Sequence, residues 1–191
     1  MPRLVVVSNR LADPRKTAAG GLAVALADVL NNTGGLWFGW SGETTDGEPG
    51  LTEADVDKMD IAWKQYGDDP TMRTGIVKLF ADGVIESQTA AMLAPYVGTG
   101  RAGTPNMTAS EMNRIVAMFD KRGWQIQIHA IGDRAIRLSL DAFEAAAKAN
   151  PAPARGRRHR LEHVEAISAQ DIARFGQHGV IASQQPMHVA L

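Results

Sequence analysis

From residue 75 onwards, short β-branched runs alternate with amphipathic helix patterns. The runs fall at 75–84, 125–131, 158–164 and 180–184, and helical spacing fills 108–122, 133–149 and 168–177. A chain that repeats strand and helix in this way is confined to a parallel sheet with helices packed on it. Parallel neighbours need a crossover, and the crossover helix must bury its apolar stripe. About four such units are present. A closed (β/α)₈ barrel needs eight, in roughly 250 residues, so the expected fold class is α/β, a parallel sheet with packed helices forming a partial (β/α)₈ barrel.

Local signals sharpen these elements. Thr108 and Glu111 form a capping box, followed by Met112, Ile115, Val116 and Phe119 on one face. Gly123 closes that helix. Residues 98–107 are rich in Gly and Pro and read as a loop. Ile136, Leu140, Phe143 and Ala147 point inward from 133–149, and Val56, Met59 and Trp63 from an earlier helix that Thr52 begins. Upstream, 4–8 reads as a buried strand, 18–30 as a helix and 36–40 as a second strand. Residues 1–45 thus predict a βαβ piece of Rossmann type, with a junction at 46–50 before the larger segment 51–191.

Composition limits the partners. Lys and Arg number 20 against 21 Asp and Glu, a balance with no general pull towards nucleic acid or an anionic membrane. The cluster Arg155 to Arg160 reads as a solvated loop. Cysteine is absent, so any metal falls to His, Asp, Glu or a modified Lys. No apolar run approaches the ~20 residues of a membrane span. The expectation is a cytoplasmic protein without nucleic-acid or membrane partners, acting on a small molecule if on anything. A half-barrel also has two unpaired edges, which predicts self-association through them.

Ligands of α/β proteins gather at the C-terminal ends of parallel strands, and the polar residues cluster there. Lys78 lies within the first strand of the larger segment and Asp82 just past it. His129 lies near the end of the second, with Gly132 and Asp133 after it. Glu162 and His163 end the third, and His188 follows the fourth. Neutral imidazoles suit zinc and similar ions. A lysine in an apolar strand is costly to bury unless paired or modified, so Lys78 reads as neutral in the sheet or turned to solvent. In the smaller segment Arg10 follows a strand and Gly20-Gly21 open a helix, an arrangement open to phosphate. Trp37, Phe38 and Trp40 read as core.

The strings VKLFADGVIES, HAIGDRA, RLEH and ASQQPMH resemble the amidohydrolase superfamily, in particular the amidohydrolase 3 group with YtcJ-like enzymes and N-substituted formamide deformylases. The resemblance implies a (β/α)₈ barrel in which a divalent metal, by expectation zinc, activates water to hydrolyse C–N bonds of amides or related substrates. It would make His129 and His163 metal ligands and Lys78 the lysine whose carbamate can bridge two metals. Asp133 and His188 would face the same mouth as substrate-binding or supporting residues. The family's first-strand His-x-His is not among histidines 129, 159, 163, 178 and 188, and its last-strand aspartate would lie beyond Leu191. The expectation is therefore a catalytically incomplete hydrolase-like segment whose Lys78 is not stably carboxylated.

VVVSNR, GGLAVAL and GLWFGWSGE resemble the N-terminus of trehalose-6-phosphate synthase, which transfers glucose from UDP-glucose to glucose 6-phosphate. By that resemblance Arg10 would touch the acceptor phosphate, Gly20 and Gly21 the donor diphosphate, and Trp40 the acceptor pocket. The two alternatives to a hydrolase-like segment are a glycosyltransferase-like fragment and a non-catalytic chimeric α/β fragment.

Overall fold

A computed structural model describes residues 4–10, 35–40, 50–64 and 75–186. The helix expected at 18–30, together with Gly20, Gly21 and His188, lies outside the described residues, as do the side chains of Arg10, Trp40 and Trp63. The chain divides into two compact units, Met1–Gly50 and Leu51–Leu191. In the first, β1 (Leu4–Arg10) and β2 (Gly35–Trp40) pair in parallel, with Leu4 opposite Gly35 and Arg10 opposite Trp40.

The second unit opens with α1 (Glu53–Lys64), followed by β3 (Ile76–Phe80), α2 (Ala109–Lys121), β4 (Gln125–Ala130), α3 (Asp133–Ala149), β5 (Arg160–His163), α4 (Ala169–His178) and β6 (Ile181–Ser183). The four strands lie in the order β3-β4-β5-β6, all parallel. This is an α/β fold, a parallel sheet with packed helices in the manner of a partial barrel. No helix among the described residues is long and apolar enough to cross a membrane.

Helix starts follow the capping chemistry. Thr52 Oγ1 accepts the Asp55 N–H at 3.3 Å, and Asp55 Oδ2 accepts the Thr52 N–H at 3.1 Å. Thr108 Oγ1 accepts the Glu111 N–H at 3.2 Å. Replacing Thr108 with alanine leaves that donor to water and should cost about 1 kcal/mol. Urea denaturation checks this, and Thr108→Ser should retain most of the stability.

Two helix faces differ from expectation. In α1, Val56 is fully buried but Met59 is 39% exposed. The inward line runs from Val56 to Asp60, one turn on, because Asp60 Oδ1 accepts the indole N–H of Trp124 at 3.1 Å. In α3 the buried residue near the C-terminus is Ala146, and Ala147 is exposed. Small side chains at Ala135, Ser139, Ala142 and Ala146 form a second buried row beside Ile136, Leu140 and Phe143, which lets a neighbouring backbone approach closely.

The sheet has two unlike faces. Register and alternation place Val77, Leu79, Ile126, Ile128 and Leu161 on one. There they join Met112, Val116, Phe119, Leu140 and Phe143 in the core. The other face carries Ile76, Lys78 and Phe80 of β3, Gln125, Gln127 and His129 of β4, Arg160 and Glu162 of β5, and Ile181 of β6. Ile76, Phe80 and Ile181 are about two-fifths exposed, so this face is open.

The strands are shorter than the sequence runs suggest. After Phe80 only one further rung forms, Ala81 N–H to His129 O at 2.9 Å, before the chain turns so that Gly83 N–H reaches Thr89 O. Strand β5 stops because His163 (φ 76°) and Val164 (φ 52°) are left-handed. The cluster Arg155 to Arg160 is not the solvated loop expected. His159 is 2% exposed, and Arg157 and His159 both bond the buried carboxylate of Asp120, which ends the inward face of α2.

Candidate metal centre at the strand ends

His129 and His163 end neighbouring parallel strands, and their ring centroids lie 4.6 Å apart at 63°. A regular β5 would not bring them together. His163 pairs in register with Ala130, whereas His129 pairs with Glu162, so strand alternation would send the two rings to opposite faces. The positive φ at His163 rotates its Cβ about the N–Cα bond and turns the ring back towards His129. Left-handed backbone at a β-branched residue such as Val164 costs on the order of 1–3 kcal/mol and is kept where the surroundings enforce it. Here Val164 is buried and its N–H is held by Ala130 O at 3.1 Å.

The imidazole of His129 is oriented by the chain that leaves β3. Its Nε2 lies 2.9 Å from the Gly83 carbonyl oxygen and 3.7 Å from Asp82 Oδ1. A carbonyl only accepts, so Nε2 carries the hydrogen, and Nδ1 is the ring nitrogen left to offer a lone pair to a metal. Burial, and then the neighbouring His129, push the His163 imidazole below its ordinary pKa, against the opposing pulls of Gln185 and Glu165. Both features suit metal binding, which takes neutral imidazole and commonly anchors the remote ring N–H on a carbonyl or carboxylate.

Lys78 is neither turned to solvent nor isolated. Its side chain is about one-third exposed, and Nζ pairs with Glu162 and sits 5.4 Å from the centroid of Phe80. Glu162 also binds Arg160 at 2.7 Å. Burial raises the pKa of Glu162, but the two cations outweigh it and hold the carboxyl below its usual range. In this arrangement Lys78 serves an ion pair on the open sheet face. Glu162 was placed at the end of the third strand by the sequence but given no role there, although the alternation of β5 puts it on the same face as His129.

Asp133 opens α3, and its Oδ1 accepts the Leu93 N–H at 2.7 Å. Its carboxylate therefore holds the loop 81–108. Asp82, given no role from the sequence, is buried at the centre of the strand ends. Oδ2 accepts Ala91 N–H at 2.9 Å and Gly132 N–H at 2.8 Å, and Oδ1 accepts Ile131 N–H at 3.1 Å. Burial raises its pKa more than these bonds and His129 lower it. Among the described residues no three His, Asp or Glu side chains are grouped to hold a metal ion. The ligands on offer are the two imidazoles. Arg10 and Trp40 lie in the other unit, at paired positions ending β1 and β2.

The amidohydrolase family model matches residues 17–190. The chain belongs to the amidohydrolase family. The match begins ahead of Leu51. The chain is 38% identical over 116 residues to Protein LONG AFTER FAR-RED 3 of Arabidopsis thaliana, covering 60% of the chain and 20% of the plant protein. It is also 50% identical over 68 residues to trehalose-6-phosphate synthase of Klebsiella pneumoniae, covering 35% of the chain and 14% of the synthase. It thus spans a minor part of the length of these relatives. The sequence is composite: the amidohydrolase model takes residues 17–190, and a 68-residue segment is similar to the synthase.

In fold it is similar to an uncharacterised metal-dependent hydrolase from Pyrococcus furiosus, with TM-score 0.60 and 24% identity, covering 88% of this chain and 33% of that one. A second such hydrolase, from Pyrococcus horikoshii, gives TM-score 0.57 and 22% identity, with 97% and 33% covered. Family membership implies a divalent metal. Two imidazoles, one with its remote N–H already anchored, fit that requirement in part.

Proposed function

We propose that this amidohydrolase carries part of a metal-assisted hydrolytic site for C–N bonds of amides or related substrates, and that His129 and His163 hold a zinc ion. The meeting of these two rings at neighbouring strand ends, at the expense of left-handed backbone, carries the reading. His129 would bind through Nδ1, since Nε2–H is committed to Gly83. Zinc would supply Lewis-acid polarisation and activation of water. Lys78, Glu162 and Arg160 form a charged strip beside the rings that could orient a polar substrate group. Asp133 and His188 are kept as candidate substrate-side residues.

The histidines include no His-x-His pair, so we assign this chain metal binding rather than turnover of its own. Elemental analysis tests it. The purified chain should retain zinc near one per chain after dialysis, and the double variant His129→Ala/His163→Ala should lose most of it. Equal zinc in both would remove the site. A second reading, a sugar-nucleotide transferase segment using Arg10, Gly20, Gly21 and Trp40, rests on the similarity of the N-terminal stretch to the synthases.

A further inference from the structure

We propose that Asp82 is a positioning residue that fixes the tautomer and orientation of His129. The assignment of Asp82 rests on contacts between residues of this chain. Only its consequence for metal affinity rests on the function proposed above.

The carboxylate of Asp82 is the point where three segments meet. It accepts N–H groups from Ile131 and Gly132, at the end of β4 and the start of α3, and from Ala91 in the loop 81–108. The same loop is tied down from the other side. Ala91 O accepts N–H groups of Arg134 and Ala135 in the first turn of α3, at 3.1 and 3.3 Å. A Cβ on Gly132 would overlap the Ala91 carbonyl, so this close approach requires glycine there. These bonds leave residue 82 no freedom to shift along the strand ends.

The consequence falls on the next peptide. Gly83, one residue on, presents its carbonyl to His129 Nε2 at 2.9 Å. Wherever Asp82 is pinned, that acceptor is pinned. The Asp82 carboxylate itself lies 3.7 Å from Nε2, and its partial negative charge favours a hydrogen on the nearer ring nitrogen. Acceptor and field act in the same sense. Nε2 is protonated and Nδ1 is left bare. Without the Asp82 carboxylate the Gly83 carbonyl keeps only the backbone ties of its segment, Gly83 N–H to Thr89 O at 3.2 Å and Asn106 Nδ2–H to Asp82 O at 3.2 Å, and its aim at Nε2 loosens, while an imidazole in water has no comparable preference. Orienting partners of this kind typically change metal affinity by about 10–100-fold when removed.

The test is long-range proton–nitrogen correlation NMR on the ¹⁵N-labelled, metal-free chain at neutral pH, with zinc affinity by calorimetry alongside. His129 of the wild type should show the Nε2–H tautomer. Asp82→Ala should lose that purity and bind zinc at least tenfold more weakly. Asp82→Asn, which keeps one acceptor oxygen, should fall between them. Tyr96→Phe removes a bond from the same loop, Tyr96 OH to Ala90 O, without touching Asp82, and should leave the tautomer unchanged. An Nδ1–H tautomer in the wild type would overturn the proposal. So would an unchanged tautomer in folded Asp82→Ala, or an equal loss in Tyr96→Phe. If Asp82→Ala does not fold, the wild type and Asp82→Asn decide by the same criteria. Absence of zinc binding alongside the Nε2–H tautomer would overturn the metal reading and leave the role of Asp82 standing.

Discussion

Replacing Asp120 with alanine should unfold the unit Leu51–Leu191 under conditions where the parent chain is folded. Asp120 is 2% exposed. Its carboxylate accepts His159 Nε2–H at 3.0 Å, Arg157 Nε–H at 2.8 Å, a second Arg157 N–H at 3.3 Å and Asn150 Nδ2–H at 3.0 Å. His159 in turn uses Nδ1 to accept the Ile126 N–H at 3.2 Å and stacks on Phe143 at 4.8 Å. One carboxylate therefore ties α2 to the N-terminal ends of β4 and β5. Removing it strands the Arg157 guanidinium and a buried imidazole N–H. Breaking a buried pair from one side costs about 3–5 kcal/mol, against a total stability of about 5–15 kcal/mol for an ordinary domain.

The same carboxylate sets an acid limit. Burial pushes the Asp120 carboxyl up, but the bonds from His159, Asn150 and Arg157 together outweigh it and hold it below the usual range. A carboxyl whose folded pKa is depressed contributes stability that is fully present above its unfolded value of about 4. That stability is lost as pH falls through the lower, folded value. Chemical denaturation from pH 7 downward should show a loss beginning below about pH 4. Asp120→Asn should be less stable at neutral pH and show less of this acid-side loss. An Asp120→Ala chain of parental stability would remove Asp120 from the core network.

Element order, helix starts and the strand-end positions of His129 and His163 were legible in the sequence because each leaves a local mark. Thr108 and Glu111 cap by spacing alone, and a histidine at the end of a β-run announces its own position. What escaped depends on register between distant segments. Lys78 and Glu162 are 84 residues apart, and their pairing needs both flanking alignments, β3 with β4 and β4 with β5. Asp82 looks like any polar residue after a strand until Ile131 and Gly132 are brought to it. The loop of arginines looked solvated because its acidic partner, Asp120, sits on the inward face of another helix. Alternation along RLEH separates His163 from His129, and only the left-handed backbone at His163 reverses that. Helical periodicity likewise set the faces of α1 and α3 to within one residue. The final choice, Asp60 over Met59 and Ala146 over Ala147, was made by neighbouring elements.

The chain is expected to associate with itself through the sheet of its second unit. Among the described residues β3 and β6 each have a strand on one side only. Unpaired edge N–H and C=O groups are a template for another chain. The open face next to these edges is apolar at its margins, with Ile76, Phe80 and Ile181 exposed, and charged at its middle, where Lys78 pairs with Glu162. Such a surface favours association at the margins while the central ion pair resists desolvation, so a reversible, concentration-dependent species is expected rather than precipitation. Within 180–182 the strand is divided, Val180 being buried and Ile181 open. Ile181 is thus the position where a charge can act on the edge without entering the core. Its N–H already bonds His159 O, and that bond survives any side-chain change. Light scattering after size-exclusion chromatography should show a mass that rises with loading concentration. Ile181→Lys, a charge of the kind that protects natural edges, should return most of the protein to the monomer with little change in denaturation midpoint. A monomeric mass for the parent chain at every concentration would mean that these edges and this face are already satisfied within one chain.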